Sequence, residues 1–226
     1  MRVLVSGAGS GIGEAMAGAL HDRGDDLVLL ARNERRARDL RDRFGRADVR
    51  AADLADAATL ASVVSDLDRL DAVVHAAGVV ELAPVAEMKL EDLAGQLSVN
   101  LVAPTELTRA LLPALRAARG TVVFLNSGAG LVAHPGWSAY AASKFGLRAV
   151  ADALRAEEAG HGVRVTSVYL GRVATAMQEK VHEQEGKEYD AGEWVSPASV
   201  VSSVLHVLDL PADVTVPDVT VRPRPR

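Results

Sequence analysis

Tyr140 and Lys144 stand four residues apart in Trp137-Ser138-Ala139-Tyr140-Ala141-Ala142-Ser143-Lys144. On a helix that spacing puts both side chains on one face, so the ammonium can lie close to the phenol. A free tyrosine titrates near pH ~10, and a neighbouring positive charge favours the phenolate and lowers that value. A phenol tuned this way can exchange a proton with a substrate oxygen near neutral pH. At the other end of the chain, Val3-Leu4-Val5 leads into Ser6-Gly7-Ala8-Gly9-Ser10-Gly11-Ile12-Gly13. These glycines let the backbone turn tightly and approach a pyrophosphate. The helix expected next, Glu14 to about Arg23, points unpaired N–H groups and a partial positive charge at it. Strand, glycine turn and helix together read as a dinucleotide-binding βα unit.

The rest of the chain must bring these two ends together. Strand-like apolar runs occur at Arg2–Ser6, Asp26–Ala31, Asp48–Ala52, Ala72–Ala76, Thr121–Asn126, Val163–Tyr169 and Val216–Val221. Helical stretches lie between them near Asn33–Phe44, Ala57–Leu67, Leu90–Arg116, Ser138–Ala159 and Pro197–Leu208. Most strands are solidly apolar rather than alternating, as expected when both faces of a parallel sheet are covered. The alternation predicts an α/β fold: a doubly wound, mostly parallel sheet of about seven strands with helices on both faces. One domain, residues 1–226, accounts for the whole chain. Residues 171–196 break the pattern as a long polar connection, expected to be a lid or substrate loop.

Composition narrows the function. Hydrophobic residues make up 49% and charged residues 24%, a globular balance, and aromatics only 4%, so the core must be aliphatic. A net charge of −5 argues against a nucleic-acid partner, since phosphate binding wants a basic field. With no cysteine there is neither a disulfide nor thiolate catalysis, and a reducing cytoplasm fits. The first strand begins almost at Met1, which leaves no room for a cleavable leader ahead of it. No apolar run approaches the ~20 residues that span a bilayer, so no membrane is expected. The tail Arg222-Pro223-Arg224-Pro225-Arg226 reads as a solvated terminus, because its prolines prevent packing as a helix or central strand.

The glycine spacing Gly7, Gly11, Gly13 and the Tyr-x-x-x-Lys pair resemble the short-chain dehydrogenase/reductase family, in its shorter single-domain branch with a Rossmann fold. The resemblance covers essentially the whole chain. It implies a catalytic serine thirteen residues before the tyrosine, which is Ser127, at the end of an apolar strand. It also implies a fourth catalytic member, Asn100, in Ser98-Val99-Asn100-Leu101. Cofactor contacts implied by the same likeness are Gly7, Gly9, Ser10, Gly11, Ile12 and Gly13 in the loop, and Asp53 and Leu54 after the third strand. To these it adds Ala76, Ala77 and Gly78 after the fourth strand, and Gly171, Val173 and Thr175 after the sixth. His75 replaces an asparagine of the family and reads as a structural histidine of the sheet. Leu170 replaces a proline before Gly171. No metal site is implied.

Cofactor choice has its own argument. An acidic residue ~20 positions beyond the glycines would hold the ribose 2′-hydroxyl of NAD, whereas arginine accepts the 2′-phosphate of NADP. Here Ala31 occupies the acidic position, followed by Arg32 and Asn33. A guanidinium grips phosphate bidentately, so NADP(H) is expected. The alternative is that Arg32 merely opens a solvated basic face with Arg35 and Arg36. The implied activity is NADPH-dependent reduction of a ketone or aldehyde to an alcohol, reversibly, with Tyr140 as proton donor and Ser127 holding the substrate oxygen. Lys144 would tune the tyrosine and bind the nicotinamide ribose, and Asn100 would anchor a water. A catalytically silent NADP(H)-binding redox sensor is the rival reading. The resemblance further implies a homodimer or homotetramer, through helices carrying Leu101–Leu115 and Ala141–Leu154. The pocket candidates Ala129, Leu131, His134, Trp137, Met177 and Trp194 suggest an apolar cavity for a small-molecule carbonyl or alcohol.

Overall fold

The computed structural model describes residues 1–224. Seven strands, β1 (Arg2–Ser6), β2 (Asp26–Ala31), β3 (Asp48–Ala51), β4 (Ala72–His75), β5 (Thr121–Ser127), β6 (Arg164–Leu170) and β7 (Asp218–Val221), form one sheet in the order β3-β2-β1-β4-β5-β6-β7. Every neighbouring pair is parallel. The chain winds outward from β1 to β3, then crosses back to β4 and winds the other way. The crevice at the carboxyl ends of β1 and β4 is therefore the switch point where such folds take ligands.

Side chains alternate between two aliphatic cores, as strand geometry requires. Val3, Val5, Leu27 and Leu29 pack with α1 (Gly11–Asp22), α2 (Glu34–Arg43) and α8 (Pro197–Leu208). Leu4, Val28 and Leu30 face the opposite layer, with α3 (Ala57–Val63), α5 (Ala103–Ala118) and α6 (Ser138–Glu158). Val3, Leu4 and Val5 are all fully buried, which is why β1 shows no polar alternation. Among the described residues no helix is long and apolar enough to cross a membrane. Of the basic tail, Arg222 and Arg224 are exposed, whereas Pro225 and Arg226 lie outside the described residues.

The stretch near Leu90–Arg116 is helical as expected, running without a break through α4 (Leu90–Leu97), a π turn at Ser98–Val102 and α5. Residues 171–196, expected as a long polar connection, contain a helix, α7 (Ala176–Glu185). Thr175 caps its first turn by accepting from the Gln178 N–H, and Gly186 ends it in a left-handed conformation at φ +65°. Ion pairs then dock it on both flanks. Lys180 meets Glu81 at 2.6 Å, with Gln184 beside it, and Glu185 receives Arg172 through both carboxylate oxygens at 2.7 and 2.8 Å.

Candidate active site

The glycine loop is held by contacts that a side chain would forbid. Gly7 has φ +71°, and a Cβ on it would lie 2.7 Å from the backbone of Ala77. A Cβ on Gly13 would collide with the carbonyl oxygen of Gly7. Loop, β4 end and α1 thus lock together, and the Ser10 side chain makes no capping bond of its own at the start of α1. The unpaired first-turn N–H groups of α1 face a cleft of about 780 Å³. Gly7, Gly9, Ser10, Gly11, Ile12, Arg32, Asn33, Asp53, Leu54, Ala76, Ala77, Gly78 and Thr175 all line this cleft. Gly13 does not; its part is the packing beneath the loop.

Arg32, Arg35 and Arg36 all line the cleft. Arg32 is 79% exposed and approaches Asp53 at only 4.0 Å, a loose contact that leaves the guanidinium available. Asp53 turns its other oxygen to the Ala55 N–H at 3.0 Å. Asn33 spends its side-chain oxygen on capping α2, through the Arg36 N–H at 3.0 Å. Arg35 and Arg36 read from sequence as members of a solvated face. The residues present fit a phosphorylated dinucleotide: an amide-lined loop, no carboxylate at Ala31, and three guanidiniums along the cleft.

A second cavity of about 580 Å³ adjoins the first, sharing Ile12, Ala76, Ala77, Gly78, Thr175 and Met177 with it. Ser127, Tyr140 and Lys144 lie in its wall, with Gly171 and Val173 beside them. Ser127 is the last residue of β5, and Tyr140 and Lys144 project from the first turns of α6. The Ser127 hydroxyl accepts from the Ala129 N–H at 3.1 Å and lies beside the Tyr140 phenol in the cavity wall. Lys144 is 4% exposed; its Nζ donates to the Leu125 backbone oxygen at 3.0 Å and lies 5.8 Å from the centroid of the Tyr140 ring.

This geometry corrects one expectation. Burial pushes the Tyr140 phenol up, with the Ser127 hydroxyl opposing it, so the phenol is not lowered by its neighbour. The ammonium lies toward the ring and is tied to a backbone oxygen, and enclosure penalises the phenolate. The same burial brings Lys144 down to about 8.

Asn100 sits in the π turn, 1% exposed. Its oxygen accepts from the Val79 N–H at 2.8 Å, and its Nδ2 donates to Val79 O at 2.9 Å and to Ser143 Oγ at 3.0 Å. The side chain therefore braces the segment after β4 against α6. A Cβ on Gly78 would lie 3.4 Å from Asn100 Oδ1 and 3.9 Å from Lys144 Nζ, which places both groups around that glycine. Thr175 lines both cavities while its hydroxyl caps α7. His75 is structural as expected, but it bonds to a helix rather than within the sheet. Its Nε2 lies 2.9 Å from Thr108 Oγ1, and its ring stacks on Phe124. The Thr108 hydroxyl already donates to Pro104 O at 2.7 Å, so the proton between the pair belongs to the histidine.

Of the expected pocket residues, Ala129, His134, Trp137 and Met177 line the second cavity. Leu131 and Trp194 do not. Trp194 packs instead against the Arg172 guanidinium at 5.4 Å and the His182 ring at 5.3 Å. Nor is the cavity purely apolar, since Gln178, Arg172 and Glu185 contribute to its wall. Gln178 and Glu185 were missed because they come from α7. The signal was present in Thr175-Ala176-Met177-Gln178, a capping-box spacing, followed by Gly186.

The chain is similar to known proteins over nearly its whole length. The family model described as short chain dehydrogenase matches residues 1–186. An uncharacterized oxidoreductase of Staphylococcus epidermidis is 30% identical over 226 residues, covering 97% of this chain and 96% of that protein. An alcohol dehydrogenase from the archaeon Thermococcus sibiricus, complexed with 5-hydroxy-NADP, superposes with a TM-score of 0.85 at 25% identity, covering 100% of this chain and 98% of that one. A 4-hydroxyisoleucine dehydrogenase complexed with NADH gives a TM-score of 0.85 at 25% identity, covering 97% of this chain and 96% of that one. With the match to the family model running over most of its length, the chain belongs to the short-chain dehydrogenase/reductase family of oxidoreductases.

Proposed function

We propose that this protein is an NADPH-dependent reductase of ketones or aldehydes, working in reverse as an alcohol dehydrogenase. The observation that carries the reading is the meeting of Ser127, Tyr140 and Lys144 in the wall of a cavity continuous with the glycine-loop cleft. When bound, the reduced nicotinamide would supply hydride to the carbonyl carbon. Ser127 donates a hydrogen bond to the substrate oxygen, stabilising the charge that builds there. Tyr140 gives its proton to that oxygen, completing the alcohol. A phenol pushed up by burial stays protonated at neutral pH, the state a proton donor needs. Lys144, at about 8, is largely an ammonium at pH 7 and would bind the nicotinamide ribose.

The preference for NADP(H) rests on Arg32, Arg35 and Arg36 in the cleft and on Ala31, where a carboxylate would repel the phosphate. Val102 in the π turn and Phe145 on α6 are apolar yet 46% and 40% exposed, which supports a homodimer or homotetramer through this face. Tyr140→Phe tests the chemistry. Turnover of NADPH across a panel of ketones and aldehydes should fall about 10²–10⁴-fold, while NADPH binding, read by its fluorescence, stays within about twofold. Retained turnover would remove Tyr140 from the mechanism.

A further inference from the structure

Asn126 lies between Leu125 and Ser127 at the end of β5 and is 2% exposed. Successive strand side chains point to opposite faces, so with Ser127 turned toward the cavity, Asn126 reaches toward α6. Its carboxamide is used at both ends. The oxygen accepts from the Ser127 N–H at 2.7 Å, and Nδ2 donates to the backbone oxygen of Lys144 at 3.1 Å. Lys144 in turn sends its ammonium to the Leu125 oxygen at 3.0 Å. Two consecutive residues of β5 therefore grip the lysine, one at its backbone and one at its tip. A helical carbonyl oxygen has a second lone pair, so Asn126 can bond to it without displacing the helix's own N–H.

Gly130 makes this seam possible. A Cβ there would lie 2.6 Å from Asn126 Oδ1 and 2.8 Å from Lys144 O. The chain thus brings an asparagine, a glycine and the two catalytic residues they connect into one buried knot. A single planar group carrying both a donor and an acceptor is what the span requires: aspartate lacks the donor, and alanine lacks both.

We infer that Asn126 is a positioning residue, fixing the separation between the Ser127 hydroxyl and the Lys144 ammonium by bonding to the backbone of both. The inference rests on the reading of Ser127, Tyr140 and Lys144 as the proton-transfer group. Small displacements of such groups reduce rate far more than binding. Loosening the seam also lets the ammonium reach water, which relieves the burial that holds it near 8.

The test uses full-length Asn126→Ala, Gly130→Ala and Asn126→Ser, the last keeping a donor and an acceptor on a shorter arm. Thr108→Val, which disturbs the buried His75 contact elsewhere, is the control. In Asn126→Ala and Gly130→Ala, kcat should fall on the order of 10–100-fold, with the KM for NADPH within about twofold. The titration midpoint of Lys144, followed by NMR of the lysine side chains, should rise; the chain has only four lysines to resolve. Asn126→Ser should regain part of the lost turnover, and Thr108→Val should melt lower with kcat and midpoint unchanged. A fall in kcat with an unmoved Lys144 midpoint, or a loss of melting temperature alone, would overturn the inference. If the wild-type protein reduces no carbonyl, the midpoint still reports on the seam. Failure of the proposed activity is then separable from failure of the positioning role.

Discussion

At the coenzyme end of the crevice Gly7 and Gly13 create the shape by having no side chains. At the proposed catalytic end Asn100, Asn126, Ser143 and Lys144 are polar side chains enclosed at 4% exposure or less, bonded to one another or to backbone. The first device is local and steric, so it tolerates no added atom but asks little of its neighbours. The second depends on desolvated groups satisfying each other, and it carries a standing energetic cost. The difference predicts distinct failures: loss of binding at one end, and loss of chemistry with altered stability at the other.

The largest effect on coenzyme binding should come from Gly13→Ala. The new methyl would strike the Gly7 carbonyl, and backbone cannot move aside as a flexible side chain can. NADPH fluorescence titration should show affinity reduced by about 100-fold or more, with a loss of stability of about 1–3 kcal/mol from overpacking. Normal binding would mean the loop has slack that the packing does not reveal.

Lys144→Met examines the other end. Lys144 sits at about 8 in the fold against its ordinary 10.5, so the unfolded chain takes up this proton first as pH falls. Its enclosure therefore costs stability in full below pH 8, roughly 3 kcal/mol, and the cost fades as pH rises from 8 to 10.5. The variant should be inactive yet melt above the wild type at pH 7, with the gap closing toward pH 10.5. A variant no more stable at pH 7 would show that the ammonium's bond to Leu125 outweighs its desolvation.

Arg32→Asp returns to the coenzyme end with a smaller change, since Arg35 and Arg36 remain. The ratio of kcat/KM for NADPH to that for NADH should fall about 10–100-fold, the worth of one charge-assisted contact. An unchanged ratio would move the phosphate contact to the other two arginines.

The sheet was readable in the sequence because burial on both faces leaves runs such as Val3-Leu4-Val5 and Ala72-Val73-Val74 with no competing pattern. Tyr140, Lys144 and Ser127 were readable through fixed spacings and a strand end. What escaped depends on partners distant in the chain. The helix α7 is rich in Glu, Gln and Lys and shows little apolar stripe; its docking comes from Glu81 and Arg172, far from or outside its own segment. The π turn at Ser98–Val102 leaves no compositional mark. The pairing of His75 with Thr108 joins positions 33 residues apart, and no local pattern announces it. The direction of the Tyr140 shift escaped for a similar reason: proximity was legible, but the depth of enclosure was not.

Ile12, Ala76, Ala77, Gly78, Thr175 and Met177 belong to both hollows at once. A molecule lodged against them from the dinucleotide side would become a partition of the neighbouring chamber. Loading would then follow a sequence, the nucleotide first and the reactant second. Departure would run in the opposite order, because the inner guest has its floor supplied by the one that came before it.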